Sequence, residues 1–248
     1  MKLKVVSFNI RCLDDENGHS IKERAPRLKT ILDNVDGDII GFQECRNDWE
    51  TIIPNDYGDK YEIFLIHRGD DESNPMLWRK DKFDCLKKGV FWLSDTPEKI
   101  SKGWDERFDC YRICMYAILQ DKNSGKEFCF MNTHYGFGDK CQIDSSDLIY
   151  KYNKQITNLP TLITGDFNMF PSTLGYKQMT QYYRDVNQAT LKYTGTTFHN
   201  YAPETENEHI DYCFINEKIK PISTVLLDQN FDGKYPSDHF GLYFELEL

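Results

Sequence analysis

The chain has 248 residues, of which 40% are hydrophobic and 14% aromatic, a composition that supports a folded core and argues against disorder. Its formal charge of −10 argues against a non-specific coat on nucleic acid, because phosphate backbones are held by Lys and Arg. No run approaches the ~20 apolar residues of a membrane span, and the N-terminal apolar run is too short for a signal peptide.

Apolar runs recur along the chain without repeats or a Pro/Gly/Ser-rich linker, so we expect one domain over 1–248. The first run, "LKVVSFNI", is apolar on both faces, which predicts a central strand. Strands are predicted over 3–10, 37–44, 61–68, 75–80, 89–94, 113–121, 126–135, 159–167, 209–216, 223–229 and 240–248. Helices are predicted over 25–35, 144–157 and 173–183. The turn "KNSG" predicts a hairpin, and the whole pattern indicates an α+β fold of two sheets packed face to face with helices outside.

The eight cysteines form no CxxC pair, and several lie within apolar, strand-like runs. Cys129 lies in "EFCFMN" and Cys213 in "IDYCFIN", which is typical of reduced, buried thiols. The sequence therefore predicts free thiols and a cytoplasmic protein.

Polar residues collect at the ends of the predicted strands, where sites are usually built. The residues placed in this way are Asn9, Glu44, His134, Asp166, Asn168, Asp211, Asp238 and His239. Taken singly, most have a structural explanation: "GDFN" suits an Asx-type turn, and His134 suits a satisfied core histidine. Glu44 is harder to explain in this way, because a carboxylate within an apolar run needs a partner. Their recurrence at strand ends indicates a site.

The motifs "SFNIR", "GFQE", "NTH", "TGDFN", "IDY" and "SDH" resemble, in this order, those of the endonuclease/exonuclease/phosphatase superfamily. The resemblance covers residues 4 to 246 and is greatest to bacterial members. It implies a deoxyribonuclease-I-like four-layer α/β sandwich, with two packed mixed β-sheets flanked by helices. One stretch departs from the pattern: many relatives continue "NTH" with Leu-Asp-His, whereas this chain has Gly136 and Phe137 in place of the acid and second histidine.

The resemblance also implies hydrolysis of phosphoester bonds with Mg²⁺, for which Mn²⁺ could substitute. Glu44, Asn9 and Asp238 are the implied metal contacts. Asp166 would orient or deprotonate the attacking water, and both it and Asn168 are expected to leave one face of extended chain. His239, held by Asp211, would stabilise the phosphate. Arg112, His134 and Asn168 would bind phosphate oxygens, although Arg112 could instead form a buried structural ion pair.

The substrate stays open at the level of sequence. A small phosphodiester or phosphomonoester suits the acidic chain best. A nuclease is less favoured, because nucleic acid needs a cationic groove and the only Lys/Arg cluster with aromatics between its charges is "WRKDKF". A sphingomyelinase-like phospholipid phosphodiesterase is a further alternative. A catalytically inactive phosphate-binding protein of the same fold is the alternative outside enzymes, but such a protein would be expected to lose Asp166 or His239 first.

Overall fold

A computed structural model describes residues 1–190, 195–202 and 209–248. Within these ranges the chain forms twelve strands and five helices. The strands are β1 (Lys2–Asn9), β2 (Ile39–Gln43), β3 (Tyr61–Phe64), β4 (Met76–Arg79), β5 (Phe83–Trp92), β6 (Ile113–Asp121), β7 (Glu127–His134), β8 (Thr161–Asp166), β9 (Arg184–Asp185), β10 (Asp211–Ile215), β11 (Lys220–Leu227) and β12 (Gly241–Glu247). The helices are α1 (Ile21–Val35), α2 (Trp49–Tyr57), α3 (Asp139–Ile156), α4 (Leu174–Tyr182) and α5 (Val186–Thr190).

The strands form two six-stranded sheets, in the orders β11-β12-β1-β2-β4-β3 and β5-β6-β7-β8-β10-β9. Both sheets are mixed, because β1 runs parallel to β2 and β7 runs parallel to β8. As predicted, β1 is central and β6 pairs with β7 in a hairpin. In each parallel pair the strands end together at one edge of the sheet, and these two edges carry the polar residues considered below.

Three apolar clusters give the molecule its four layers. Side chains from both sheets, such as Val5, Phe130 and Leu162, form the cluster between the sheets. A second cluster packs α1 and α2 on the outer face of the first sheet, and a third packs α3 and α4 on the outer face of the second. The predicted α+β sandwich is therefore confirmed.

Several predicted elements were misplaced or missed. Helix α2 contains Pro54, which disfavours a helical interpretation of the sequence, and the short β9 and α5 carry little periodic signal. Helix α3 begins at Asp139, five residues before its predicted start. The last strand begins at Gly241, one residue after its predicted start, and Asp238 and His239 lie just before it.

The described part of the chain includes all eight cysteines, which are free, and six of them are buried. Among the described residues, none of the helices has the length and apolarity that a membrane crossing requires.

Candidate active site

The ends of β1, β2 and β8 meet where the two sheets face each other. Asn9 Nδ2 donates to Glu44 Oε1 at 3.0 Å and to Asp166 Oδ2 at 2.9 Å, so one amide joins carboxylates from opposite sheets. Glu44 follows β2 in a left-handed conformation with φ 61°, and its Oε2 accepts from the backbone N–H of Cys12 at 3.0 Å. Burial opposes the charge of Glu44, but these hydrogen bonds and nearby His239 lower its pKa, so Glu44 is a carboxylate at neutral pH.

Asp166 ends β8, and Asn168 completes a tight turn behind it. Asn168 is left-handed, with φ 49°, so the expectation that both residues leave one face of extended chain is wrong. Instead, the backbone N–H of Asn168 donates to Asp166 Oδ1 at 2.9 Å, which is an Asx-type turn. Phe167 between them is fully buried. The turn fixes Asp166 and directs its Oδ2 toward Asn9.

His239 and Asp211 form a buried acid–imidazole pair. His239 Nδ1 lies 2.9 Å from Asp211 Oδ2, and His239 Nε2 lies 3.8 Å from Asp166 Oδ2. Burial alone would lower the pKa of His239, but the charge and hydrogen bond of Asp211, followed by the charge of Asp166, raise it to about 10. His239 is therefore an imidazolium at neutral pH, directed at Asp166.

His134 ends β7 on the other side of Asp166. Its Nε2 accepts from Asn168 Nδ2 at 3.1 Å and lies 3.5 Å from Asp166 Oδ2, while Nδ1 lies 3.9 Å from Glu72 Oε1. Burial, followed by the charges of Arg112 and Arg68, holds the pKa of His134 well below its usual value. His134 is thus neutral, unlike His239, and Asn168 uses its side-chain amide to hold the ring and the carbonyl of Tyr135.

Asp238 and Arg11 lie beside Glu44 and Asn9. Arg11 Nε is 3.5 Å from Asp238 Oδ2 and 3.0 Å from Asp15 Oδ2. The backbone N–H of Arg11 donates to Asn9 Oδ1 at 3.0 Å, so the amide oxygen of Asn9 is already engaged. Burial raises the pKa of Asp238, and repulsion from Glu44 adds to this effect.

Arg112 lies immediately before β6. Its Nε and Nη2 donate to Asp105 Oδ2 at 3.2 and 3.1 Å, and both side chains are buried. The structural ion pair named as an alternative is therefore present. Arg112 also acts electrostatically on His134 and Glu72, which places its charge at the edge of the site.

Sequence reasoning missed Arg11, Glu72 and Asp105. Glu72 is buried beside Arg68, and burial raises its pKa to about 7. Both acids come from polar loops, "RGDDES" and "GWDERF", in which nothing local predicts burial.

The donor set suits a divalent cation. The ligand atoms of Glu44, His134 and Asp166 lie within 4.8 Å of one another, as do those of Asp166, Asp211 and His239. Burial, followed by repulsion from Asp211, raises the pKa of Asp166 to about 7, which is a cost that a bound cation would relieve. Carboxylate oxygens are the ligands that Mg²⁺ prefers. The site can bind a cation, hold a water and present positive charge to an anion.

Such a fold with such a site defines a hydrolase of phosphoester bonds. The chain belongs to the Endonuclease/Exonuclease/phosphatase family, whose model matches residues 6–239 and whose members depend on a divalent metal. No curated protein matches the chain at a significant level.

Solved structures show the same fold. An endonuclease/exonuclease/phosphatase family protein from Bacteroides thetaiotaomicron is 28% identical, with a TM-score of 0.92, over 100% of this chain and 99% of that chain. A mannosyl-6-phosphatase from the same organism is 28% identical, with a TM-score of 0.87, over 99% of this chain and 100% of that one. The D. rerio TDP2 complexed with single strand DNA product shares the fold at 17% identity and a TM-score of 0.80, over 100% of this chain and 99% of that chain.

Proposed function

We propose that the protein is a Mg²⁺-dependent phosphoester hydrolase that uses in-line attack by an activated water. One observation carries the proposal: Asp166 Oδ2 has Asn9 Nδ2 at 2.9 Å, His134 Nε2 at 3.5 Å and His239 Nε2 at 3.8 Å. A carboxylate held by Asn9 and flanked by the His239 imidazolium can orient a water while that imidazolium faces the anionic phosphate.

Glu44 is the proposed metal ligand, with Asp238 as a further contact. Asn9 would hold Glu44 in place through Nδ2, and a direct contact of its oxygen with the cation would require the amide to leave the backbone N–H of Arg11. The bound cation, Mg²⁺ or Mn²⁺ in its place, would neutralise phosphate charge and position the reacting oxygens.

The remaining side chains have two proposed roles, which are transfer of the water's proton and stabilisation of the phosphate charge. Asp166 would accept a hydrogen bond from the attacking water and take its proton. His239, kept positive and oriented by Asp211, would stabilise charge on the phosphate. Arg112 would contact phosphate oxygens. For neutral His134 to do so, its Nε2 would have to carry the proton, which requires the Asn168 amide to leave it. In this arrangement Asn168 acts mainly by positioning, since its amide is used by His134 and Tyr135.

A small phosphoester is the proposed substrate class. The likeness to a mannosyl-6-phosphatase over the whole chain supports a phosphorylated sugar, and the charge of −10 agrees with a small substrate. A nuclease is the alternative, supported by the shared fold of TDP2. A sphingomyelinase-like activity and an inactive phosphate-binding protein are the other candidates.

A substrate panel distinguishes these candidates. Sugar 6-phosphates, bis-p-nitrophenyl phosphate, single-stranded DNA, RNA and sphingomyelin would each be incubated with Mg²⁺, with Mn²⁺ and with EDTA. We expect sugar phosphates to give the highest kcat/KM, with loss of turnover in EDTA and in Asp166→Asn. Hydrolysis that persists in EDTA would contradict the metal role, and failure to hydrolyse any substrate would favour the binding protein.

Two further proposals concern the whole chain. We propose that residues 1–248 work as one domain, because the groups that meet at Asp166 come from both sheets. We also propose a cytoplasmic location, which is supported by eight free cysteines.

A further inference from the structure

Asp105 lies in the loop between β5 and β6, yet only 1% of its side chain is exposed. Its Oδ1 accepts from the backbone N–H groups of Arg107 and Phe108 at 2.9 and 3.0 Å. Its Oδ2 accepts from Arg112 Nε and Nη2 and from Cys110 Sγ. One carboxylate therefore fixes both the loop and the guanidinium.

The loop is seated on the stretch where the sequence departs from many relatives. A β-carbon at Gly136 would lie 2.7 Å from Asp105 Oδ2 and 2.7 Å from Cys141 Sγ. Both distances are shorter than the contacts that real β-carbons make with neighbouring atoms. The backbone N–H of Glu106 donates to the carbonyl of Phe137 at 3.0 Å. Glycine at 136 thus provides the space in which the Asp105 carboxylate lies.

The carboxylate also decides which part of Arg112 can meet a ligand. The pair uses the Nε and Nη2 edge and leaves Nη1 outside it. Arg112 is only 5% exposed, and a buried guanidinium without a counter-charge is costly. Because contacts to a reacting phosphate depend on geometry at the level of ~1 Å, a fixed guanidinium binds better than one free to turn.

We propose that Asp105 is a positioning residue that aligns Arg112 for the phosphate group of the substrate, in a space made by Gly136. The inference rests on the proposed function, in which Arg112 contacts phosphate. The inference assigns a role to Gly136, which stands where many relatives have an acid: it makes room for the Asp105 carboxylate from another loop.

The test measures binding of inorganic phosphate to the full chain loaded with Mg²⁺, by isothermal titration calorimetry. Asp105→Asn keeps an oxygen for the two loop N–H groups and removes the charge facing Arg112. We expect Asp105→Asn and Arg112→Ala each to raise the Kd for phosphate ~10–100-fold, the loss of a charged hydrogen bond. The double variant should bind no more weakly than Arg112→Ala, because Asp105 acts through Arg112.

Asp109→Asn is the matched control, since Asp109 is in the same loop but exposed and paired with Lys102. Its Kd should stay within about twofold of the wild-type value. Gly136→Ala provides a second variant if Asp105→Asn does not fold: it keeps the charge and displaces Asp105 Oδ2, so Kd should rise again.

The outcomes separate the inference from the function on which it rests. No phosphate binding by the wild-type protein, or an unchanged Kd in Arg112→Ala, would contradict the proposed role of Arg112. A raised Kd in Arg112→Ala with additive loss in the double variant would overturn the inference alone. An unchanged Kd in Asp105→Asn, or in Gly136→Ala where only that variant folds, would overturn it too.

Discussion

Replacing Asp166 by Asn should lower kcat and yet stabilise the fold, because burial of the Asp166 carboxylate destabilises the folded state. The substitution is nearly isosteric, and an amide oxygen can still accept from the backbone N–H of Asn168, as Oδ1 does at 2.9 Å. An amide cannot take a proton from water. Loss of a positioned general base typically lowers kcat ~10²–10⁴-fold, or roughly 3–5 kcal/mol of barrier.

The same substitution should stabilise the metal-free protein above pH 7. Burial, followed by repulsion from Asp211, raises the pKa of Asp166 to about 7, against about 3.9 in an unfolded chain. The folded state thus disfavours the charged form of Asp166. This effect lowers the free energy of unfolding by its full amount above the pKa of the folded protein and not at all below the pKa of the unfolded chain. It amounts to at most about 4 kcal/mol, and after relaxation we expect Asp166→Asn to gain about 1–3 kcal/mol at pH 8.

The assay pairs kcat, on the best substrate of the panel, with urea unfolding in EDTA at pH 8. Asp185→Asn is the matched control, because Asp185 is also a buried acid with a raised pKa, and its oxygens accept from the Tyr176 hydroxyl and the backbone N–H of Asn187 rather than from a proposed catalytic residue. Its kcat should be unchanged. If Asp166→Asn kept more than about a tenth of wild-type kcat, the loss would be far smaller than expected, and the catalytic role would be refuted. Lower stability would refute the electrostatic reasoning.

Three other predictions test separate parts of the structure. Glu44→Gln should weaken Mg²⁺ binding about tenfold or more by calorimetry, because a charged ligand is lost, and an unchanged affinity would contradict the metal assignment. Thiol titration of the denatured, unreduced protein should find close to all eight cysteines, whereas two or fewer would contradict free thiols. Burial lowers the pKa of His199 to about 3, so the folded protein excludes a proton that the unfolded chain binds below pH ~6.5. Between pH 7 and 5, wild type should therefore lose about 1–2 kcal/mol more stability than His199→Phe in urea unfolding, and equal losses would contradict a buried neutral imidazole.

Features that depend on the residue pattern along a strand could be predicted from the sequence. Burial on both faces of β1 follows from a run of apolar residues, and the parallel pairing of β1 with β2 brings Asn9 level with Gln43, next to Glu44. Strand ends at one edge of a sheet meet in space whatever the loops do. For this reason the polar residues at the ends of β1 and β2, and those at the ends of β7 and β8, could be grouped in pairs before the structure was known.

Features decided by loop docking could not be predicted. Asp105 and Glu72 lie in mostly polar loop sequences, and their contacts with Gly136 and His134 depend on how the loops dock at the end of β7. The turn at Asn168 differs, because "GDFN" already suits an Asx-type turn, but the contacts of its amide with His134 and Tyr135 could not be predicted. Helix α2 was missed for a local reason, since Pro54 interrupts a short apolar pattern.

The pairing of β1 with β12 has a consequence for how the protein reaches its active form. Ser7 lies opposite Leu242, and Ser237 Oγ donates to the carbonyl of Asn9 across a separation of 228 residues. Contacts this distant in sequence close late and slow folding. On the ribosome, β1 can pair with β2 early, but its other edge would stay open to other chains until β12 has been synthesised. Recovery of turnover during refolding should then lag behind the recovery of helix, because the segment carrying His239 docks together with β12, which joins β1 to the edge strand β11.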